Sequence, residues 1–178
     1  MKKISIAGAT GYTGIELLRL LVKHPEVEIG TLTAESHAGK NIAEVAPSLK
    51  GWVDQTLVKL LPEVAQGCDV LFLALPHTTS MQHVPELLKS GCKIIDLSAD
   101  YRLHEAEVYG QWYQTPHLNP ELLSQAVYGL TELHRKKIKQ AQLVANPGCY
   151  PTGAILALAP LMHQEWADAE SIIIDSKS

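Results

Sequence analysis

Gly8, Gly11 and Gly14 stand between a short alternating apolar run and an amphipathic stretch, and no other feature constrains the fold as much. A strand that turns directly into a helix exposes backbone N–H groups at a positive helix end, and glycine lets a phosphate approach with no Cβ in the way. The segment Gly8-Ala9-Thr10-Gly11-Tyr12-Thr13-Gly14 is one residue longer than the usual G-x-G-x-x-G fingerprint. With a strand over residues 4–7 before it and helical spacing over residues 15–21 after it, the turn predicts dinucleotide binding. Gly8, Thr10, Gly11, Tyr12, Thr13 and Gly14 are the expected contacts.

The rest of the chain repeats this strand-helix alternation. Strand-like runs fall at residues 4–7, 27–33, 70–75, 93–97, 142–145 and 172–175, most of them nearly continuous in apolar residues. Strands covered on both faces by helices need that pattern. Residues 12–23, 79–89, 132–140 and 151–163 carry apolar side chains at helical spacing. The expected architecture is α/β, a Rossmann-like doubly wound and mainly parallel sheet. Residues 100–125, rich in Tyr, His, Pro and Trp, match no period and read as a long excursion. The run at 172–175 reads as the first strand of a second α+β catalytic domain that the chain does not complete. Expected domains are therefore residues 1–147 for the nucleotide and 148–178 for the start of the catalytic part.

Bulk properties exclude other classes. No apolar run approaches the roughly 18 residues a spanning helix requires, so no membrane partner is expected. A net charge of -4 argues against nucleic acid, whose phosphates are met by clustered Lys and Arg. The short Arg135-Lys136-Lys137 cluster reads as a solvated last turn of a helix. Cys68, Cys92 and Cys149 lack paired spacing, which suits a reducing, cytoplasmic setting, and no cluster suggests a metal. Cys68 and Cys92, each beside a turn glycine and leading into an apolar run, read as structural cysteines.

Two loops bear on which dinucleotide binds. Glu35 lies near the end of the second strand, where an acid would meet the ribose 2'-hydroxyl of NAD. Ser36, His37, Gly39 and Lys40 follow at once, a polar and cationic loop suited to the 2'-phosphate of NADP. These two readings oppose each other. A further loop from Leu75 to Ser80 should lie along the carboxyl edge of the sheet, with Pro76 and His77 as candidate cofactor contacts. Thr78 or Thr79 could equally cap the helix that follows.

The chemistry is expected at Asn146-Pro147-Gly148-Cys149-Tyr150-Pro151-Thr152-Gly153. Two prolines bracket a Gly-Cys pair, and Pro151 suits the first position of the next helix, so the thiol stands at a helix N-terminus. The helix dipole and local N–H donors favour a thiolate in such a place. A thiolate beside a nicotinamide pocket suits attack on an activated acyl carbon followed by hydride transfer. Ser98-Ala99-Asp100-Tyr101-Arg102, at the end of another strand, offers a guanidinium to an anionic substrate. Ser98, Asp100, Arg102, Asn146 and Gly148 are thus candidate substrate contacts.

Taken in order, Gly8-x-x-Gly11-Tyr12-x-Gly14-x-Glu16-Leu17, Ser98-Ala99-Asp100-Tyr101-Arg102, Tyr128-Gly129-Leu130 and Pro147-Gly148-Cys149-Tyr150-Pro151-Thr152 resemble the N-acetyl-gamma-glutamyl-phosphate reductase family. The related aspartate-semialdehyde dehydrogenases carry their cysteine in another setting, Asn-Cys followed by small hydroxyl residues. The resemblance implies NADP, with Ser36, His37 and Lys40 near the 2'-phosphate. It implies that Cys149 displaces phosphate from N-acetyl-glutamyl phosphate to give a thioester, which hydride converts to the semialdehyde. Gly148 and the amides after it would hold the oxyanion. It further implies a homo-oligomeric full-length protein whose general acid/base histidine comes from a second domain. None of the eight histidines matches that motif, so the chain alone is expected to bind NADP and to turn over poorly. The competing readings are an aspartate-semialdehyde dehydrogenase and a catalytically silent NADP-binding module with Cys149 as a redox-sensitive thiol.

Overall fold

Short apolar segments covered on both faces suit a parallel sheet flanked by helices. The computed structural model describes residues 1–177; Ser178, the last residue of the expected second domain, lies outside the described residues. The chain runs β1 (Lys2–Ala7), α1 (Tyr12–Leu21), β2 (Val27–Thr33), α2 (Ile42–Val45), β3 (Val70–Leu73), α3 (Ser80–Leu88) and β4 (Lys93–Asp96). It continues through α4 (Ala106–Tyr113), α5 (Pro120–Leu123), β5 (Val127–Tyr128), α6 (Thr131–Gln140), β6 (Leu143–Ala145) and α7 (Cys149–His163).

The six strands form one sheet in the order β2-β1-β3-β4-β6-β5, and every pairing is parallel. After β2 the chain crosses over β1 to lay down β3 on the other side, so strand order reverses at β1 and β3. In open α/β sheets ligands bind at such a reversal, outside the carboxyl ends of the strands.

Alternate residues of the strands feed two cores, one on each face. Ile6 and Leu32 pack with Leu18 of α1 and Ile42 of α2, while Leu71, Leu73 and Ile94 pack with Met81, Val84 and Leu87 of α3. The fold is therefore doubly wound, as the alternation of runs predicts.

Three differences from expectation have physical causes. Residues 100–125 contain α4 and α5, which hide from a periodicity reading because each is only about two turns or less and buries a single residue, Tyr109 or Leu123. The edge strand β5 is two residues long, too short to show alternation. The strand expected at residues 172–175 does not form; the segment follows a short 3-10 turn, Ala169–Ser171, and Ile173 is 93% exposed. A strand needs a neighbour's N–H and C=O groups, and no described residue pairs with this segment. Among the described residues no helix is long and apolar enough to cross a membrane.

Candidate functional site

Two of the three turn glycines are demanded by packing. Gly8 has φ +78°, and a Cβ there would stand 2.3 Å from the Ala74 carbonyl oxygen, so β1 and the end of β3 meet through a missing side chain. A Cβ at Gly14 would stand 2.4 Å from the Gly8 carbonyl oxygen, which sets α1 directly against the turn. Gly11 is different, because its Cβ would meet nothing nearer than 3.5 Å. Gly11 is also the N-cap of α1, extended and with no side chain bonding the first helical N–H groups. Tyr12 is exposed beside it, with Gly11 and Thr13 also at the surface. The positive end of α1 is thus open.

Next to this turn lies a cavity of about 420 Å³ lined by Gly8, Thr33, Ala34, Glu35, Leu75 and Thr79, together with Lys59, Leu60, Leu61 and His83. It sits at the reversal between β1 and β3. The segment around Val58 forms its far wall, bridging in parallel to Thr33 and exchanging backbone bonds with Leu32 and Ala34. Glu35 is exposed, and one of its carboxylate oxygens accepts the Leu60 N–H at 3.2 Å. Ser36, His37 and Lys40 follow in a surface turn closed by Lys40 N–H to the His37 carbonyl. The Ser36 hydroxyl lies 3.3 Å from His37 Nδ1. Lys59 and Leu60 escaped sequence reasoning because they lie far along the chain from Glu35, Leu60 by 25 residues; the short stretch around Val58, with β-branched Thr56 and Val58, was the available signal.

The loop from Leu75 to Thr79 connects this cavity to the Ser98–Arg102 motif. Pro76 and His77 are exposed, and His77 Nδ1 accepts the Ala99 N–H at 2.9 Å. Thr78 takes the left-handed conformation, φ 68°, which costs a β-branched residue about 1–3 kcal/mol. Neither Thr78 nor Thr79 caps α3 through its side chain. The cap comes from far along the chain: Asp100 accepts the Thr78 N–H at 2.8 Å and the Met81 N–H at 3.0 Å. Tyr109 adds a hydroxyl bond to the same carboxylate at 3.2 Å.

Ser98 and Asp100 are buried, so their observed partners are protein groups rather than solvent. Ser98 donates its hydroxyl to Asp96 at 2.7 Å, and Asp96 also accepts the Ser80 hydroxyl. Burial pushes the Asp96 carboxyl above its ordinary range, opposed by these hydroxyl bonds. Arg102 instead reaches the carboxyl edge, donating to the Asn146 carbonyl and to the Leu97 carbonyl, each at 2.8 Å. A Cβ at Gly148 would lie 3.0 Å from Arg102 Nη1, so the guanidinium rests on the turn that carries the thiol.

Cys149 itself is exposed and is the first residue of α7, preceded by an extended Gly148 in the N-cap position, so no side chain caps the helix start. Pro151 is therefore the third helical position, not the first; it is tolerated there because N–H groups of the first turn have no partner within the helix. Thr152 closes the turn through its hydroxyl on the Gly148 carbonyl at 2.8 Å. The Asn146 N–H is bound to the Asp96 carbonyl at 2.8 Å, and its side-chain amide to the Pro147 carbonyl. Cys92 is buried and Cys68 half-buried beside it; the neighbouring Cys92 thiol, with burial, pushes the Cys68 thiol up.

The parallel sheet brings the glycine turn, the Leu75–Thr79 loop, the Ser98–Arg102 motif and the Cys149 turn to one edge. From β1 to β6 is three inter-strand steps, about 14 Å. Among the described residues no group of three or more His, Cys, Asp or Glu could hold a metal ion. Among the described residues His117 is the one buried histidine.

Known proteins resemble this chain in sequence and in fold. A relative from Geotalea daltonii named N-acetyl-gamma-glutamyl-phosphate reductase is 54% identical over 100% of this chain, and one of that name from Desulforamulus reducens is 51% identical. The chain spans 51% and 52% of their lengths, about half. Among solved structures, aspartate semialdehyde dehydrogenase with NADP from Candida albicans superposes with a TM-score of 0.64 at 21% identity, covering 92% of this chain and 47% of that one. Aspartate semialdehyde dehydrogenase II from Vibrio cholerae gives 0.64 at 15% identity, covering 92% and 43%; at such identities the likeness is one of fold. The family model described as semialdehyde dehydrogenase, NAD binding domain, matches residues 3–141. With most of its length inside that match, the chain belongs to the semialdehyde dehydrogenase NAD-binding domain family.

Proposed function

We propose that this chain is the nucleotide-binding part and the nucleophile-bearing turn of an NADP-dependent N-acetyl-gamma-glutamyl-phosphate reductase, with residues 1–147 serving the cofactor and 148–178 opening the catalytic part. The observation that carries the reading is Cys149, exposed at the uncapped end of α7 with the Arg102 guanidinium against its turn. Relatives of that name, 51–54% identical along the whole chain, support it.

The chain's own residues suit each task. The open N-terminus of α1 and the uncrowded Gly11 receive a pyrophosphate, and the cavity beside Gly8 takes the adenosine. Glu35 is tied to the Leu60 N–H, while Ser36, His37 and Lys40 with Lys59 supply the polar and cationic groups a 2'-phosphate needs. Cys149 attacks the acyl carbon of the acyl phosphate, a carbon–sulfur bond forms, and inorganic phosphate leaves. NADPH, when bound, would supply the hydride that reduces the thioester carbon to the aldehyde level, and the carbon–sulfur bond then breaks, its electron pair returning to the Cys149 sulfur as the semialdehyde leaves. Arg102 attracts the anionic substrate, and the Gly148–Cys149 turn with the first amides of α7 holds the developing oxyanion, a role of about 2.7–4 kcal/mol per donor elsewhere. A histidine acid/base from outside this chain, a cytoplasmic location and a homo-oligomeric full-length enzyme complete the proposal.

The test is mass spectrometry after mixing the chain with N-acetyl-glutamyl phosphate, beside a fluorescence titration with NADPH and NADH. An acyl adduct confined to Cys149, absent in Cys149→Ser, and tighter binding of NADPH are expected. No adduct, with dinucleotide still bound, leaves a silent NADP-binding module; faster acylation by aspartyl phosphate points to an aspartate-semialdehyde dehydrogenase instead.

A further inference from the structure

We infer that Asp100 is a positioning residue for the dinucleotide: it holds Thr78 in its left-handed conformation and so sets the loop that walls the cleft beside Gly8. The inference rests on the dinucleotide reading and adds to it a residue that touches neither cofactor nor substrate.

Asp100 is fully buried, 0% exposed, and both carboxylate oxygens are taken. Oδ1 accepts the Thr78 N–H and the Tyr109 hydroxyl, and Oδ2 accepts the Met81 N–H. Being buried, the carboxylate does not face a ligand at the surface. What these bonds hold is a loop whose two ends, Leu75 and Thr79, line the cleft with Gly8. Between those ends Thr78 sits at φ 68°, which threonine seldom adopts unless its surroundings impose it. With the chain turned this way the Thr78 and Met81 N–H groups converge on the one Asp100 carboxylate, and those two bonds hold the turn. His77 adds a second tie to the same segment through the Ala99 N–H.

The same five residues end in Arg102, whose guanidinium grips the Asn146 carbonyl before the Cys149 turn. Residues 98–102 thereby tie the cleft wall and the thiol turn to one five-residue segment. A loop that samples other conformations would bind dinucleotide only in the competent fraction, and affinity falls by that fraction.

Asn at position 100 can offer one oxygen acceptor but turns an amide N–H₂ toward the second donor, so Asp100→Asn releases one of the two loop bonds. Glycine reaches φ above zero without penalty, so Thr78→Gly lets the loop hold its shape without the clamp. NADPH and NADH are titrated by fluorescence into the wild-type chain, Asp100→Asn, Thr78→Gly and the double variant, with thermal midpoints measured in parallel. Asp100→Asn is expected to weaken both dinucleotides by about tenfold. The double variant should recover to within about threefold of wild type while its thermal midpoint stays low, because glycine restores the loop but not the buried hydrogen bonds. A merely structural Asp100 predicts the opposite, an affinity that tracks the midpoint with no rescue. Unchanged affinity in Asp100→Asn, or a double variant no better than the single, overturns the inference. Should Asp100→Asn fail to fold, Thr78→Pro replaces it, since proline cannot take a positive φ and lacks the N–H that Asp100 accepts; wild-type affinity there would also overturn it. A wild-type chain that binds neither dinucleotide refutes the cofactor reading itself and the inference with it.

Discussion

Gly8 and Gly11, three residues apart in one turn, are glycines for different reasons. A methyl group at Gly8 would meet the Ala74 carbonyl at 2.3 Å in a left-handed backbone, whereas at Gly11 it would meet only ordinary contact at 3.5 Å. Gly8→Ala should therefore lower stability by about 2 kcal/mol or more and abolish dinucleotide binding. Gly11→Ala should hold stability within about 1 kcal/mol while weakening the dinucleotide, since only the ligand needs that space. Denaturant unfolding with a parallel NADPH titration separates the two. His117 makes a second case at this scale. Its ring stands edge-on to Tyr101 and Tyr109 at 5.1 and 4.9 Å, Nδ1 accepts the Asn119 N–H, and Nε2 is buried without a partner. Burial depresses its proton affinity, so the folded state prefers the neutral ring. The stability it contributes is present above the ordinary histidine range and is lost as pH falls through the depressed value in the folded state. Denaturant midpoints between pH 7 and 5 should fall less steeply in His117→Leu than in wild type; an unchanged slope would disprove the assignment.

Among the elements, α6 and α7 show what secondary structure owes to its neighbours. α6 buries no residue, yet Lys93 at the start of β4 donates its ammonium to the carbonyls of Ile138, Lys139 and Ala141. This is a C-cap delivered across the sheet, at the negative end of the helix dipole. Lys93→Met should fray the last turn of α6, raising amide exchange at Lys139 to Ala141 and costing about 1 kcal/mol, with exchange in α3 unaltered. α7 is the converse. It is apolar almost all round and no residue of it is buried; a helix of that kind belongs inside a larger body. The described residues leave Leu161 and Met162 uncovered, in a chain that spans about half the length of its relatives. The expectation of a helix beginning beside Cys149 agrees with the structure, whereas the alternative reading of Thr78 or Thr79 as hydroxyl caps on α3 does not, the buried Asp100 carboxylate accepting the Thr78 and Met81 N–H groups instead.

At the scale of the whole molecule, the sheet order decides where everything goes. The reversal between β1 and β3 opens the cleft, and parallel strands carry four separate loops to one edge. A ligand that binds there stabilises only the folded chain. NADPH at a hundred times its Kd should add about 2.7 kcal/mol, a rise in thermal midpoint of about 5–10 °C for a domain of this size. Differential scanning fluorimetry reads the shift, and NADH at the same concentration should give a smaller one; equal shifts would remove the 2'-phosphate preference from the proposal.

By itself the sequence determined the strand-turn-helix start, the apolar runs of a parallel sheet and the Gly-Cys turn opening a helix, because each depends on neighbours a few residues away. Short-range chemistry of that kind is written in composition and period. Only the tertiary structure decided that Asp100 caps α3 rather than facing solvent, that Glu35 binds the Leu60 N–H, that Lys59 joins the cleft wall and that residues 172–175 form no strand. Those outcomes depend on which distant group the fold sets against an unpaired donor or edge, and burial, not local pattern, decides that pairing.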